Sequence, residues 1–111
     1  MMRHFLWLMF APLLVTSSLF SQTFRGAING TVTDPAGAVL AAANVKATNT
    51  ATGISLDTTT TSDGQFSFQD LPLGSYKISV AARGFTPAIV ENVPVTAGSV
   101  YTLPVKMKVA H

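Results

Sequence analysis

The sequence predicts an all-β domain, a seven-stranded antiparallel β-sandwich preceded by an export signal. Three observations lead there. From Arg25 onward apolar residues recur with a period of two rather than 3.6. Turn signals built on Gly, Pro and Asp break that alternation every 8–12 residues or so. Charged residues make up only 11% of the chain, against a usual figure of roughly 25%, and Thr, Ala, Val, Gly and Ser fill the gap, a sheet-and-turn palette. With 111 residues there is room for one domain. A small barrel is the second-best architecture.

The elements follow in order. Ile28, Gly30 and Val32 alternate with Asn29 and Thr31 as a first strand. Asp34-Pro35-Ala36-Gly37 is a turn in which Pro35 presets the second position and Gly37 can take positive φ. Ala43, Val45 and Ala47 alternate with Asn44, Lys46 and Thr48 as a second strand, which Thr52-Gly53 ends. Ile54, Leu56 and Thr58 begin a third, which runs on through the threonines that follow. Ser62-Asp63-Gly64 is a tight turn. Phe66 and Phe68 mark the fourth strand, and Leu71-Pro72-Leu73-Gly74 a corner. Tyr76, Ile78 and Val80 alternate with Lys77, Ser79 and Ala81 in the cleanest strand of the chain. After Arg83-Gly84-Phe85 turns the chain, Ile89–Val95 forms a weaker strand that Pro94 pushes toward an edge or an irregular path. Ala97-Gly98 turns again, and Tyr101–Val109 is the last strand. The expected core is Ile28, Val32, Val45, Ile54, Leu56, Phe66, Phe68, Leu71, Tyr76, Ile78, Val80, Phe85, Val93, Leu103 and Val105.

The start of the chain reads as an address. Met1–His4 carries Arg3 and His4, Phe5–Val15 is apolar, and Thr16–Gln22 is small and polar, the three-part order of a secretory signal peptide. The apolar run falls short of the ~20 residues that span a bilayer, and Pro12 interrupts it. An uncleaved anchor is the alternative. Residues 1–22 are therefore expected to be removed, after Ser18, Ser21 or Gln22, leaving 23–111 as the domain, with no membrane span in the mature chain.

Several function classes are excluded on residue chemistry. The formal net charge of +2 falls to about +1 without Arg3, and Lys46, Lys77, Arg83, Lys106 and Lys108 are scattered, so nucleic acid is not an expected partner. There is no cysteine, hence no disulfide, no thiol nucleophile and no expected lipid anchor. The two histidines, His4 and His111, lie in the signal and at the last position, where neither can serve in a catalytic triad. Among Asp34, Asp57, Asp63, Asp70 and Glu91, Asp63 reads as a turn residue. A Ca²⁺ site from Asp63 and Asp70 would need several more oxygens, and an acid/base pair of Asp57 and Asp63 is weaker still. Gly26, Gly30 and Gly37 precede no helix and so make no phosphate loop. Asn29-Gly30-Thr31 matches the glycosylation triplet by chance. Phe66, Phe68 and Tyr76 suit the core, which leaves Phe24, Phe85 and Tyr101 as candidates for a sugar platform. No catalytic, cofactor-binding or metal-ligating residue is nominated, no cofactor is expected, and the chain is not expected to be an enzyme.

One resemblance adds to this reading. The runs GTVTDPAG (Gly30–Gly37) and AANVKATNT (Ala42–Thr50), and above all TSDGQFSFQDLPLGSYKISVAARGF (Thr61–Phe85), resemble carboxypeptidase regulatory-like domains over essentially the whole mature chain. The resemblance implies a transthyretin-like, Greek-key sandwich, grouped with carbohydrate-binding-like folds. The opening is most similar to the copy that precedes the plug and barrel of TonB-dependent outer-membrane receptors. No plug, barrel or peptidase domain follows within these 111 residues, so only the accessory module is expected to carry over. The expected function is thus a non-catalytic exported module in the periplasm, at the outer membrane or on the cell surface. Its expected partner is another envelope or outer-membrane protein; the alternative is a glycan.

Overall fold

The computed structural model describes residues 24–111; the signal peptide expected over 1–22 lies outside the described residues. The strands are β1 (Arg25–Thr33), β2 (Asn44–Asn49), β3 (Ser55–Thr59), β4 (Gln65–Pro72), β5 (Gly74–Ala81), β6 (Phe85–Thr86), β7 (Ala88–Val95), β8 (Val100–Lys106) and β9 (Lys108–Val109). A three-stranded sheet in the order β4-β1-β8 packs on a four-stranded sheet in the order β3-β2-β5-β7, and β6 pairs with β9 as a small separate ribbon. The seven strands of the two main sheets are the expected sandwich. One pairing departs from an all-antiparallel arrangement: β1 and β8 run parallel. Hairpin neighbours must be antiparallel, but β1 and β8 are distant in sequence. The chain reaches β8 by crossing from the other sheet, and side-chain alternation carries no record of strand direction.

Alternation places the core well in the central strands. Tyr76, Ile78 and Val80 on β5 are buried with Val45 and Ala47 on β2, Phe66 and Phe68 on β4, and Ile28 and Val32 on β1. Lys77 and Ser79, on the other face of β5, keep partial solvent access. The rings of Phe66 and Phe68 meet edge to face at 6.0 Å between centroids, a favoured aromatic geometry. Gly30 stands directly opposite Phe66. A Cβ at Gly30 would lie 2.2 Å from the Phe66 ring and 2.4 Å from the Leu103 carbonyl oxygen, so the ring occupies the space a side chain would need.

Three expected core residues are not buried. Ile54 and Leu56 are 67% and 46% exposed, and Phe85 is half-buried against the core margin. In exchange Met107, Val95, Ala27, Ala43 and Ala47 are buried. Met107 is fully buried because the last strand breaks there. Its N–H bonds to the Thr33 carbonyl at 2.8 Å, and the chain then resumes as β9.

The turns use the expected chemistry with one change of actor. The Asp34 carboxylate accepts from the N–H groups of Ala36 and Ala38, both at 2.9 Å, an Asx-turn. At the β3–β4 turn Gly64 has φ 73°, as expected. There the Thr61 hydroxyl, rather than the Asp63 side chain, accepts from the N–H groups of Asp63 and Gln65. The corner Leu71–Gly74 is held by the Tyr76 hydroxyl, which donates to the Pro72 carbonyl at 2.7 Å.

Candidate functional site

The two long sides of the sandwich are finished differently. On one side β7 and β8 lie together, and the ribbon of β6 and β9 joins the segment before β7 to the segment after β8, with Phe85 opposite Val109 and Thr86 opposite Lys108. On the other side β3 and β4 are the edge strands, and among the described residues no ribbon joins them.

Edge strands present unpaired backbone groups, and proteins blunt them with bulges, prolines or charges. β4 has a bulge that sets Gln69 and Asp70 against Ala27 alone, and ends in Pro72. β7 sets Glu91 and Asn92 against Lys77 alone and contains Pro94. β8 contains Pro104 and Lys106. β3, Ser-Leu-Asp-Thr-Thr, has neither proline nor bulge, and its register with β2 is continuous from Ser55 to Thr59.

The N–H of Asn49 bonds to the carbonyl of Ile54, and the N–H of Thr60 to that of Ala43, both at 2.9 Å. Antiparallel pairs alternate between bonded and non-bonded, so Leu56 and Thr58 also turn their backbone groups to β2. The N–H and C=O groups of Ser55, Asp57 and Thr59 therefore point outward, away from the sheet.

The same register fixes the side chains. Leu56 stands opposite Ala47, a core residue, so it is on the inner face, with Ile54 and Thr58 in phase. The facing sheet is one strand narrower and leaves Ile54 and Leu56 uncovered. They border a cleft of about 280 Å³ completed by Arg25, Asn49, Thr52, Asp70, Pro72 and Tyr76. The Arg25 guanidinium donates to the Asp70 carbonyl at 2.8 Å. Asp70 is in the left-handed region at φ 53°, a conformation Asp tolerates better than most residues. Asn49 is buried, and its side-chain carbonyl accepts from the N–H groups of Ala51 and Thr52, which fixes the floor of the cleft.

The residues considered for chemistry are not brought together. Among the described residues no three His, Cys, Asp or Glu side chains converge in a way that could hold a metal, so Asp63 and Asp70 gain no third ligand of that kind. Phe66, Phe68 and Tyr76 are buried; Phe24 and Tyr101 keep 67% and 36% of their surface exposed. Among the described residues no helix is long and apolar enough to cross a membrane.

The family model for "Carboxypeptidase regulatory-like domain" matches residues 27–108. The chain belongs to this family. The carboxypeptidase regulatory-like fold is also similar to several solved structures. One is the minor pilin of Streptococcus agalactiae (12% identity, TM-score 0.64, 80% of this chain and 46% of that one). Another is a type II cohesin-X-dockerin complex of Acetivibrio cellulolyticus (21% identity, TM-score 0.60, 74% and 56%). A third is 3-chlorocatechol 1,2-dioxygenase of Rhodococcus opacus (9% identity, TM-score 0.61, 80% and 61%). At these identities the likeness is one of fold, and this domain spans less than two thirds of each of those chains. No curated protein matches in sequence.

Proposed function

We propose that this carboxypeptidase regulatory-like domain is an exported, non-catalytic module that works by protein–protein contact in the cell envelope. The observation that carries the reading is the unblocked β3 edge beside an apolar cleft, a surface suited to a polypeptide. Three further points support it: the amino-terminal segment has the order of an export signal, the carboxylates and histidine of the described residues do not converge, and the fold is similar to structures titled as a pilin and as a cohesin-X-dockerin complex. The resemblance of the opening to the amino-terminal extension of TonB-dependent receptors points to an outer-membrane protein as the partner. Periplasmic and surface placement both suit this role.

The test is cross-linking in intact cells followed by affinity capture of the tagged full chain and mass spectrometry. The expected result is an envelope protein enriched well above a tag-only control, and a mature chain starting between Leu19 and Thr23. Recovery of an intact Met1 with no cross-linked partner, or hydrolase activity that follows the protein through purification, overturns the proposal.

A further inference from the structure

We infer that β3 pairs antiparallel with β3 of a second copy of this chain, about a two-fold axis at Leu56, which joins the two four-stranded sheets into one. The inference rests on the protein-contact reading above and names a homotypic occupant for its edge; an envelope partner then meets the paired copies at another surface.

Backbone geometry singles out β3. Ser55, Asp57 and Thr59 turn their N–H and C=O groups outward in an unbroken register, the template that strand addition requires. Among the described residues the other three sheet edges carry prolines, and two of them bulges. The β3 edge is also electrically balanced within one chain. Exposed Asp57 stands directly opposite exposed Lys46 on the outer face of the sheet, in the non-hydrogen-bonded kind of pair, where side chains come closest. At the cleft Arg25 sits beside Asp70 and donates to its carbonyl at 2.8 Å. A second copy therefore meets no uncompensated charge, and a charged partner finds none to match.

Self-complementarity decides the occupant. An isologous contact must satisfy itself under a two-fold rotation, and the run Ile54–Thr58 does so in one register. With Leu56 opposite Leu56 of the second copy, Ser55 falls opposite Asp57 on each side of the axis. Both residues have outward backbone groups, so both pairs close their hydrogen bonds. On the outer face the Ser55 hydroxyl lies 2.8 Å from that of Thr48. It accepts there and donates to the facing Asp57 carboxylate, which has Lys46 on its other flank. On the inner face the two leucines, each 46% exposed, meet in a non-hydrogen-bonded pair, and Ile54 meets the methyl of Thr58. Neighbouring registers fail. Centring on Asp57 opposes two like charges, which weakens a strand pair, and centring on Thr58 sets Leu56 against Thr60 and separates the leucines. Another protein's strand fits as well only if it repeats this order of hydroxyl, leucine and carboxylate, which the chain itself carries. One short strand pair falls below the roughly 1,200 Å² of a standard interface, so the contact is weak. Dilute copies are monomeric, and pairing follows where copies are held close together.

The experiment uses the isotope-labelled full chain, with sedimentation equilibrium and amide hydrogen exchange read across protein concentration. The expected result is a reversible dimer in which the Ser55 and Asp57 amides gain protection with concentration while those of β4, β7 and β8 do not. Leu56→Lys and Leu56→Glu each alter an exposed side chain and set like charges on the axis, so each alone should weaken pairing by at least about tenfold. Mixed in equal amounts, the two variants should pair with each other at least as well as wild type pairs with itself, a rescue that requires residue 56 to face residue 56. The chain has no cysteine, so Leu56→Cys adds a single thiol, and facing Cα atoms about 4.5 Å apart suit a disulfide. Oxidation should link Leu56→Cys at least about tenfold faster than Ile54→Cys, although Ile54 is the more exposed position. A chain that stays monomeric up to its solubility limit, protection that maps to β4, β7 or β8, no rescue on mixing, or equal cross-linking of the two thiols overturns the inference. If the chain stays monomeric and an envelope partner protects the β3 amides instead, self-pairing falls while the protein-contact reading stands. A β3 dimer with no captured envelope protein removes the outer-membrane partner and keeps the pairing.

Discussion

The side of the sandwich at β7 and β8 and the side at β3 and β4 start from the same material, alternating strands with an apolar inner row, and end in opposite states. At β7–β8 the chain continues beyond both edges and pairs with itself through β6 and β9, with Ala110 donating to the Gly84 carbonyl at 3.0 Å. The β7–β8 connection is also tied down: Gly98 donates to the Arg25 carbonyl and Ala27 to that of Ser99. Met107 is thereby sealed in the core. At β3–β4 the link is only the short turn around Gly64, and Ile54 and Leu56 stay in solvent although they point the same way as core residues. Burial is decided by what lies opposite an element, and among the described residues the edge of the wider sheet has nothing opposite it.

The strongest way to break this comparison is to attack the closed side. Met107→Ala removes a fully buried side chain at the point where β8 gives way to β9. Large-to-small changes of this kind cost about 2–5 kcal/mol. Urea denaturation should show the loss at unchanged slope. A loss below about 1 kcal/mol would mean that the ribbon does not seal that side.

Gly64→Ala tests the one turn that spans the open side. Its φ of 73° disfavours a Cβ, which would also sit 2.8 Å from the Cβ of Val39 and 2.9 Å from the Val32 carbonyl oxygen. The expected cost is about 1–3 kcal/mol, read as a lower thermal midpoint. Tyr76→Phe is gentler. It keeps the buried ring and removes the bond from the hydroxyl to the Pro72 carbonyl, a change of about 0.5–1.5 kcal/mol.

How much of this was legible beforehand depended on whether a feature is local. The alternation of Tyr76, Ile78 and Val80 placed β5 correctly, because a central strand is covered on its inner face in any sandwich. The turn glycines Gly37, Gly64 and Gly74 all have positive φ, since local sterics demand it. The same alternation puts Ile54 and Leu56 in the core, and the structure leaves them exposed because periodicity gives the face of a strand but not the width of the sheet opposite. The parallel β1–β8 pairing and the burial of Met107 are likewise facts about distant partners. The open edge is not marked by convergent polar chemistry. The signal available was of another kind: the run from Ser55 to Thr59 lacks the proline that appears in each of the other three edge strands.

The smallest expected effect is the sharpest test. Leu56→Ser should leave the folding midpoint nearly unchanged, within about 0.5 kcal/mol. The side chain is 46% exposed, so truncation removes little area that folding had hidden from water. It leaves no cavity, because the cleft is already open, and the new hydroxyl can reach solvent. β3 keeps its register, since the backbone groups of residue 56 remain bonded to β2. The contrast with Met107→Ala is the point: both residues are aliphatic or nearly so, both lie on inner faces, and they differ in whether the chain closes over them. If Leu56→Ser instead costs as much as Met107→Ala in the isolated protein, Leu56 is covered in solution by something other than the two sheets. Sedimentation at increasing concentration would then distinguish self-association from closure of the cleft within one chain.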